Sequence, residues 1–183
     1  MYRTGVGSLL YCIKHSRPEI SNAVRELSKC LSGPNEAAFK EMLRVIKYVL
    51  DSSDIGLKLQ PVKSDEWFIK VYSDSDWAGD KDSRKSVSGY MVFLNGALVC
   101  WRSKSQHCIS LSSSEAEMYA LTEAVKEIPF LVQVLLFIGV KIKLPVQVKV
   151  DNMGAIYMSE NSAPSARTRH ADIRQKFTAD LQD

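Results

Sequence analysis

Through the first fifty positions apolar residues recur at intervals of three and four; from Trp67 onward they fall into short runs and alternations. The first pattern predicts helices over 4–15, 19–31 and 36–51, with Pro18 at the start of the second. Ser32-Gly33-Pro34 breaks the chain before Asn35, a residue type that caps helices by accepting from a first-turn N–H. In the third helix Phe39, Met42, Leu43, Ile46, Val49 and Leu50 form one stripe, with Glu36, Lys40, Arg44 and Lys47 largely off it. IGLKLQP reads as a short strand ending at Pro61, and VKSDE as a linker.

The second pattern predicts an α/β domain over 66–183, preceded by the helical segment 1–61. WFIKVYSD is a strand, and SVSGYMVFL and ALVCWRS are two more around Asn95-Gly96, a dipeptide that forms tight hairpin turns. A helix over 113–127 follows, capped by Ser112 or Ser113, with Glu115 and Glu117 in its first turn. Pro129 should bend or restart it before FLVQVLLFIG closes at Gly139. VQVKVD is a fourth strand, followed by two helix-like pieces, NMGAIYMSE and RTRHADIRQKFTADL. This order implies a mixed sheet flanked by helices.

Composition changes that picture little. Apolar residues make up 45 % and charged residues 25 % of the 183 positions, as in ordinary globular domains. No apolar run is long enough to span a membrane, and the first residues do not form a secretory signal. Cys12, Cys30, Cys100 and Cys108 lack metal-site spacing and are expected as buried free thiols in a reducing compartment. Residues 1–61 carry nine Lys/Arg against six Asp/Glu, and the remainder carries fifteen of each. A basic surface usually accompanies nucleic-acid binding, so the charge neither supports nor opposes such a partner.

The chemistry lies in four acids. Asp74 and Asp151 each end a strand-like run, where sites gather in open α/β sheets; an Asp there can equally start a turn, and Asp151-Asn152 could be one. Asp76 competes with Asp74 if the strand continues. Residues 117, 120, 121, 124 and 128 share a helical face, which puts Glu117 on an apolar stripe and leaves Glu115 and Glu123 to solvent. A buried carboxylate is costly unless a cation pairs with it. Asp172 opens a basic segment and could also be the acidic first turn of a helix. His170 nearby could shuttle protons or contact phosphate. Hard oxygen donors gathered on strand ends and a helix suit Mg²⁺.

The strings YSDSDWAGD, SVSGY, WRSKSQ, SLSSSEAEMYAL, VKVDN and RTRHADIR, in that order, resemble the RNase H domain of copia-type LTR retrotransposon polyproteins. The preceding YRTGVGSLLYCIKHSRPEISNAVRELSK and KYVLDSSDIGLKLQP resemble the connection between reverse transcriptase and RNase H in the same polyproteins. The resemblance implies an RNase H-like fold with a five-stranded mixed sheet. It also implies an endonuclease that hydrolyses the RNA strand of RNA–DNA hybrids with two Mg²⁺, or Mn²⁺, held by Asp74, Glu117, Asp151 and Asp172. His170 is implied as an auxiliary catalytic residue; Ser75, Ser113, Ser114, Asn152, Arg167 and Arg169 are implied as substrate contacts. Arg102, Lys104 and Arg174 are further phosphate-contact candidates.

The implied partners are the hybrid and the reverse-transcriptase portion of the parent polyprotein, with no membrane. The implied location is a cytoplasmic virus-like particle or the nucleus. The family's aromatic-His pair is replaced by NSAPSARTRH, and the polymerase's Tyr-x-Asp-Asp motif is absent, which excludes DNA synthesis. The ending at Asp183 is read as a polyprotein fragment or truncated open reading frame. The competing reading is a catalytically inactive nucleic-acid-binding module. A transposase or integrase of related fold fits the WRSKSQ and SSSEAE strings poorly.

Overall fold

The computed structural model describes residues 1–160 and 177–178. They belong to two compact units, Met1–Lys58 and Leu59–Asp183. The first holds α1 (Tyr2–His15), a 3₁₀ turn at Pro18–Ile20, α2 (Ser21–Lys29) and α3 (Glu36–Asp51). Asn35 caps α3 as its sequence position predicts, its Oδ1 accepting from Ala38 N at 2.8 Å. Tyr2, Val6, Leu9, Ile20, Val24, Leu27 and Met42 make the core. Gly5 lets α1 approach α3, for a Cβ there would stand 2.5 Å from Met42 Sδ. The expected helix over 19–31 is shorter and opens as a 3₁₀ turn from Pro18. On α3, Leu43 and Leu50 are exposed, whereas Phe39, Val45, Ile46 and Val49 pack on the core. Two neighbouring helices cover a narrower seam than the predicted stripe.

The second unit is built on a four-stranded sheet of order β3-β2-β1-β4. Its strands are β1 (Trp67–Asp76), β2 (Val87–Leu94), β3 (Ala97–Ser105) and β4 (Ile142–Lys149). The β1–β2 and β2–β3 pairs are antiparallel, and β4 joins β1 in parallel. The sheet is therefore mixed, with four strands rather than five among the described residues. Between β3 and β4 run α4 (Ser113–Val125) and α5 (Glu127–Phe137), and after β4 comes α6 (Met153–Glu160). Ile69, Val71, Tyr90, Val92 and Leu94 of the sheet bury against Ala124 of α4 and Leu135 of α5.

Pro129 is the third residue of α5. There a missing N–H breaks no helical hydrogen bond, so the helix restarts instead of kinking. Gly139, at φ +79°, ends α5, and Val140 N returns to Leu135 O at 2.9 Å. No helix among the described residues is long and apolar enough to cross a membrane. All four cysteines are free, but Cys12, Cys30 and Cys100 are only half-buried and Cys108 is exposed, which corrects the expectation of four buried thiols.

IGLKLQP forms no strand. That stretch is tied to the sheet through Val62, and the tie is Asn95. The Asn95-Gly96 turn has the positive φ values of a tight hairpin, +47° and +86°. Asn95 is also fully buried. Its Oδ1 accepts from Phe68 N at 2.8 Å, and its Nδ2 donates to Val62 O at 3.0 Å. Asn95→Gly keeps the turn accessible but strands one donor and one acceptor. It should destabilise the protein by about 2 kcal/mol, read as a lower midpoint in urea at unchanged slope.

Candidate metal centre

β1 continues past Asp74 to Asp76, so strand alternation puts both carboxylates on one face. Only Asp74 joins the cluster described below. Asp76 folds into the turn after the strand, against Gly79, where any Cβ would collide with its carboxylate. Opposite Asp74 on β2 stands Gly89, which has no side chain to crowd it.

Glu117 lies one turn into α4. The helix is started by Ser112, whose Oγ accepts from Glu115 N at 3.1 Å. In return Glu115 Oε2 accepts from Leu111 N at 2.7 Å. Glu115 is therefore buried and committed to the cap rather than left to solvent. Gln106 holds the next residue, its Nε2 donating to Ala116 O at 2.9 Å. This cap fixes the angle at which Glu117 enters the space beneath β1. Glu117 is 5 % exposed. Its Oε1 accepts from both Ser75 N and Ser75 Oγ at 2.9 Å. Its Oε2 is buried without a hydrogen-bond partner among the described residues. Burial pushes the Glu117 carboxyl above the usual range; the two Ser75 hydrogen bonds oppose this, and Asp74 and Asp151 add to it by repulsion.

Asp151 follows the end of β4, which the parallel pairing sets beside β1. The next residue, Asn152, is the N-cap of α6, its Oδ1 accepting from Ala155 N at 3.0 Å and from Ser114 Oγ at 3.1 Å. Gly154 completes this junction, for a Cβ there would collide with Ser114 Oγ. The first turns of α4 and α6 thus interlock beside the acids. Asp74, Glu117 and Asp151 each present one oxygen, all within 4.8 Å of one another. Three hard oxygen donors, one of them from a Glu117 carboxylate whose Oε2 is orphaned among the described residues, suit a divalent cation such as Mg²⁺.

The other sequence-derived candidates separate into three groups. Ser75, Ser114 and Asn152 are at the centre, but their side chains bond to protein: Ser75 to Glu117, and Ser114 and Asn152 to each other. Ser113 is exposed at the first position of α4. Asp172, His170, Arg167, Arg169 and Arg174 lie outside the described residues. Sequence reasoning passed over Gly154 and Gln106. A glycine inside a helix-like segment directly after a candidate ligand signals close backbone approach, and that signal was present.

The chain is 35 % identical over 182 residues to the retrovirus-related Pol polyprotein from transposon TNT 1-94 of Nicotiana tabacum, matching all of this chain and 13 % of that protein. It is 34 % identical over 176 residues to the Pol polyprotein from transposon RE1 of Arabidopsis thaliana, matching 96 % of this chain and 12 % of the relative. The chain thus spans about an eighth of the length of these relatives. It is also 40 % identical over 126 residues to secreted RxLR effector protein 161 of Plasmopara viticola, covering 69 % of this chain and 87 % of the effector. No family model matches the chain, and no solved structure does.

The raised Glu117 pKa has a definite sign in stability. The native state holds that proton more tightly than the unfolded chain, whose value is near 4.5. Stability contributed by the proton is present below that value and is lost as pH rises through the native pKa. In metal-free buffer at pH 7, Glu117→Gln should therefore melt a few degrees above wild type, with the gap closing toward pH 4, as followed by circular dichroism. Saturating Mg²⁺ should raise the wild-type melting temperature, by up to about 2.7 kcal/mol of stability at a hundred times the dissociation constant. It should leave an Asp74→Asn/Glu117→Gln variant unchanged. Gly154→Ala should lower thermal stability even though alanine is the better helix former by about 1 kcal/mol, because Ser114 must yield.

Proposed function

We infer the function from one premise: this chain belongs to the family of retrovirus-related Pol polyproteins of transposons, corresponding to a segment of them. We propose that this segment is an RNase H-like endonuclease that hydrolyses the RNA strand of RNA–DNA hybrids. The observation that carries the reading is the buried Oε2 of Glu117, without a hydrogen-bond partner among the described residues, beside Asp74 and Asp151. An ionised carboxylate so placed is unfavourable in the protein alone and becomes favourable with a cation. The three antiparallel strands followed by a parallel fourth, with acids at the adjoining ends of β1 and β4, support the fold assignment.

Asp74, Glu117 and Asp151 would hold the metal ions, with Asp172 as the fourth ligand implied by the motif. Two Mg²⁺, or Mn²⁺, when bound would activate the attacking water and stabilise the leaving oxygen at a scissile phosphodiester. Ser75 keeps Glu117 in the orientation that leaves Oε2 available. The exposed Ser113 stands at the start of α4, where a hydroxyl can meet a ribose 2′-OH, the group that separates RNA from DNA. The parent polyprotein's reverse-transcriptase portion would generate the hybrid, and the helical unit would be its connection to this domain.

The test is cleavage of an end-labelled RNA–DNA hybrid in Mg²⁺, Mn²⁺ or EDTA, beside duplex DNA and single-stranded RNA. Only the RNA strand of the hybrid should be cut, only with metal. Asp74→Asn should reduce the rate at least a thousandfold while hybrid binding in EDTA persists. Equal cutting by Asp74→Asn, or cutting in EDTA, would sink the reading.

A further inference from the structure

α5 is apolar on every side. From Ile128 to Val140 the chain carries no charged residue, and Gln133 is the single polar side chain of that stretch. The one acid of the helix, Glu127 at its start, accepts the Tyr90 hydroxyl at 2.7 Å. A helix that is apolar all round is ordinarily buried all round. Here one side is covered: Ile128, Leu131, Val132 and Leu135 pack into the core between helix and sheet. At about 100° per residue, Phe130, Gln133, Val134 and Phe137 fall on the opposite side. That ridge is open to solvent. Phe130 is 70 % and Phe137 92 % exposed, and Val134, Leu136 and Ile138 are exposed beside them.

The five exposed apolar side chains offer roughly 700 Å² of surface. The largest apolar patch on a typical monomer is about 300 to 600 Å². A stable protein–protein interface takes about 800 Å² from each partner, so this patch with a polar rim has the size of one such contact. Other coverings fit less well. The ridge has no cation to meet a nucleic-acid phosphate. A helix that rests on a lipid surface carries Lys or Arg along its polar side, and α5 has neither. A second copy of the chain brings the same uncharged surface, so no like charges are forced together.

We propose that this ridge is a homodimer interface, in which α5 of one copy packs antiparallel against α5 of a second across a two-fold axis between Gln133 and Val134. A two-fold contact must be self-complementary, and the spacing of the ridge meets that condition. Phe130 and Phe137 lie equally far from the axis, so Phe130 stands against the partner's Phe137 at both ends of the contact. Gln133 meets its own copy near the axis, where a side-chain amide can both donate and accept. Antiparallel packing also sets the two helix dipoles head to tail. Because both copies use the same patch, the assembly closes at two. The interface requires neither the acid cluster nor the nuclease reading.

The experiment is sedimentation of the full chain across a concentration series. The mass should rise from 20.5 kDa toward twice that value and no further. The wild-type melting temperature should rise with protein concentration, as it does when folding is linked to association. Phe130→Glu and Phe137→Lys, both at exposed positions, should each weaken association about tenfold or more with an unchanged circular dichroism spectrum. Combining the two substitutions sets opposite charges face to face at both ends of the contact. The double variant should regain part of the association at low salt and lose it at high salt, a recovery that only the antiparallel register produces. Val99→Ser, at an exposed position of β3, should leave the mass distribution unchanged. A wild-type chain that stays monomeric at every concentration overturns the proposal. So does a dimer that both single variants leave intact, or a mass that climbs past two copies. A monomer that floats with phosphatidylcholine–phosphatidylserine vesicles assigns the ridge to a lipid surface and overturns it as well.

Discussion

The second unit turns on a single electrostatic demand: Glu117 sits under the sheet with a carboxylate oxygen that no donor among the described residues reaches. Desolvating a carboxylate costs several kcal/mol unless something compensates, and here two more carboxylates sharpen the demand. Ser75 meets half of it from β1, through a backbone N–H and a hydroxyl on the same oxygen. The other half is left open. A deficit of this kind is one that a bound cation would offset.

The surrounding structure exists to hold that deficit in place. The Ser112–Glu115 cap fixes the start of α4, Gln106 clamps its first turn, and Asn152 and Ser114 lock α6 against it. Gly154 and Gly89 contribute by what they lack: one allows the helices to touch, the other leaves the flank of Asp74 clear. The apolar layer of Ile69, Val71, Val92, Ala124 and Leu135 supplies the rigidity from which these polar devices work. Polar networks of this kind favour one arrangement only when their members are satisfied, and here the exception among the described residues is Glu117 Oε2.

Much of this was legible in the residue order. Periodicity located the three leading helices, the hairpin at Asn95-Gly96 and the α4 face bearing Glu117, because those signals are local. The restart at Glu127 and the closure at Gly139 followed from backbone restrictions of proline and glycine. What escaped was non-local. Glu115 looked solvent-bound because nothing in its neighbourhood reveals that Leu111 N needs an acceptor. Leu43 and Leu50 looked buried because a stripe records potential contact, not how many neighbours arrive. IGLKLQP looked like a strand because its composition suits one, yet it joins no ladder, and the adjoining Val62 is held by the side chain and the backbone carbonyl of Asn95. Asp76 required the turn at Gly79 to be seen before it could be set aside.

The parallel pairing of β4 with β1 has a temporal meaning. Asp74 and Glu117 are on elements that meet through antiparallel neighbours and a helix, but Asp151 arrives only when the chain has crossed over the sheet and docked its fourth strand. Contacts between segments far apart in sequence cost more loop-closure entropy than local ones. A nascent chain, or one whose β4 has not yet docked, holds the first two acids and not the third. The three-acid cluster thus depends on the docking of β4 against β1.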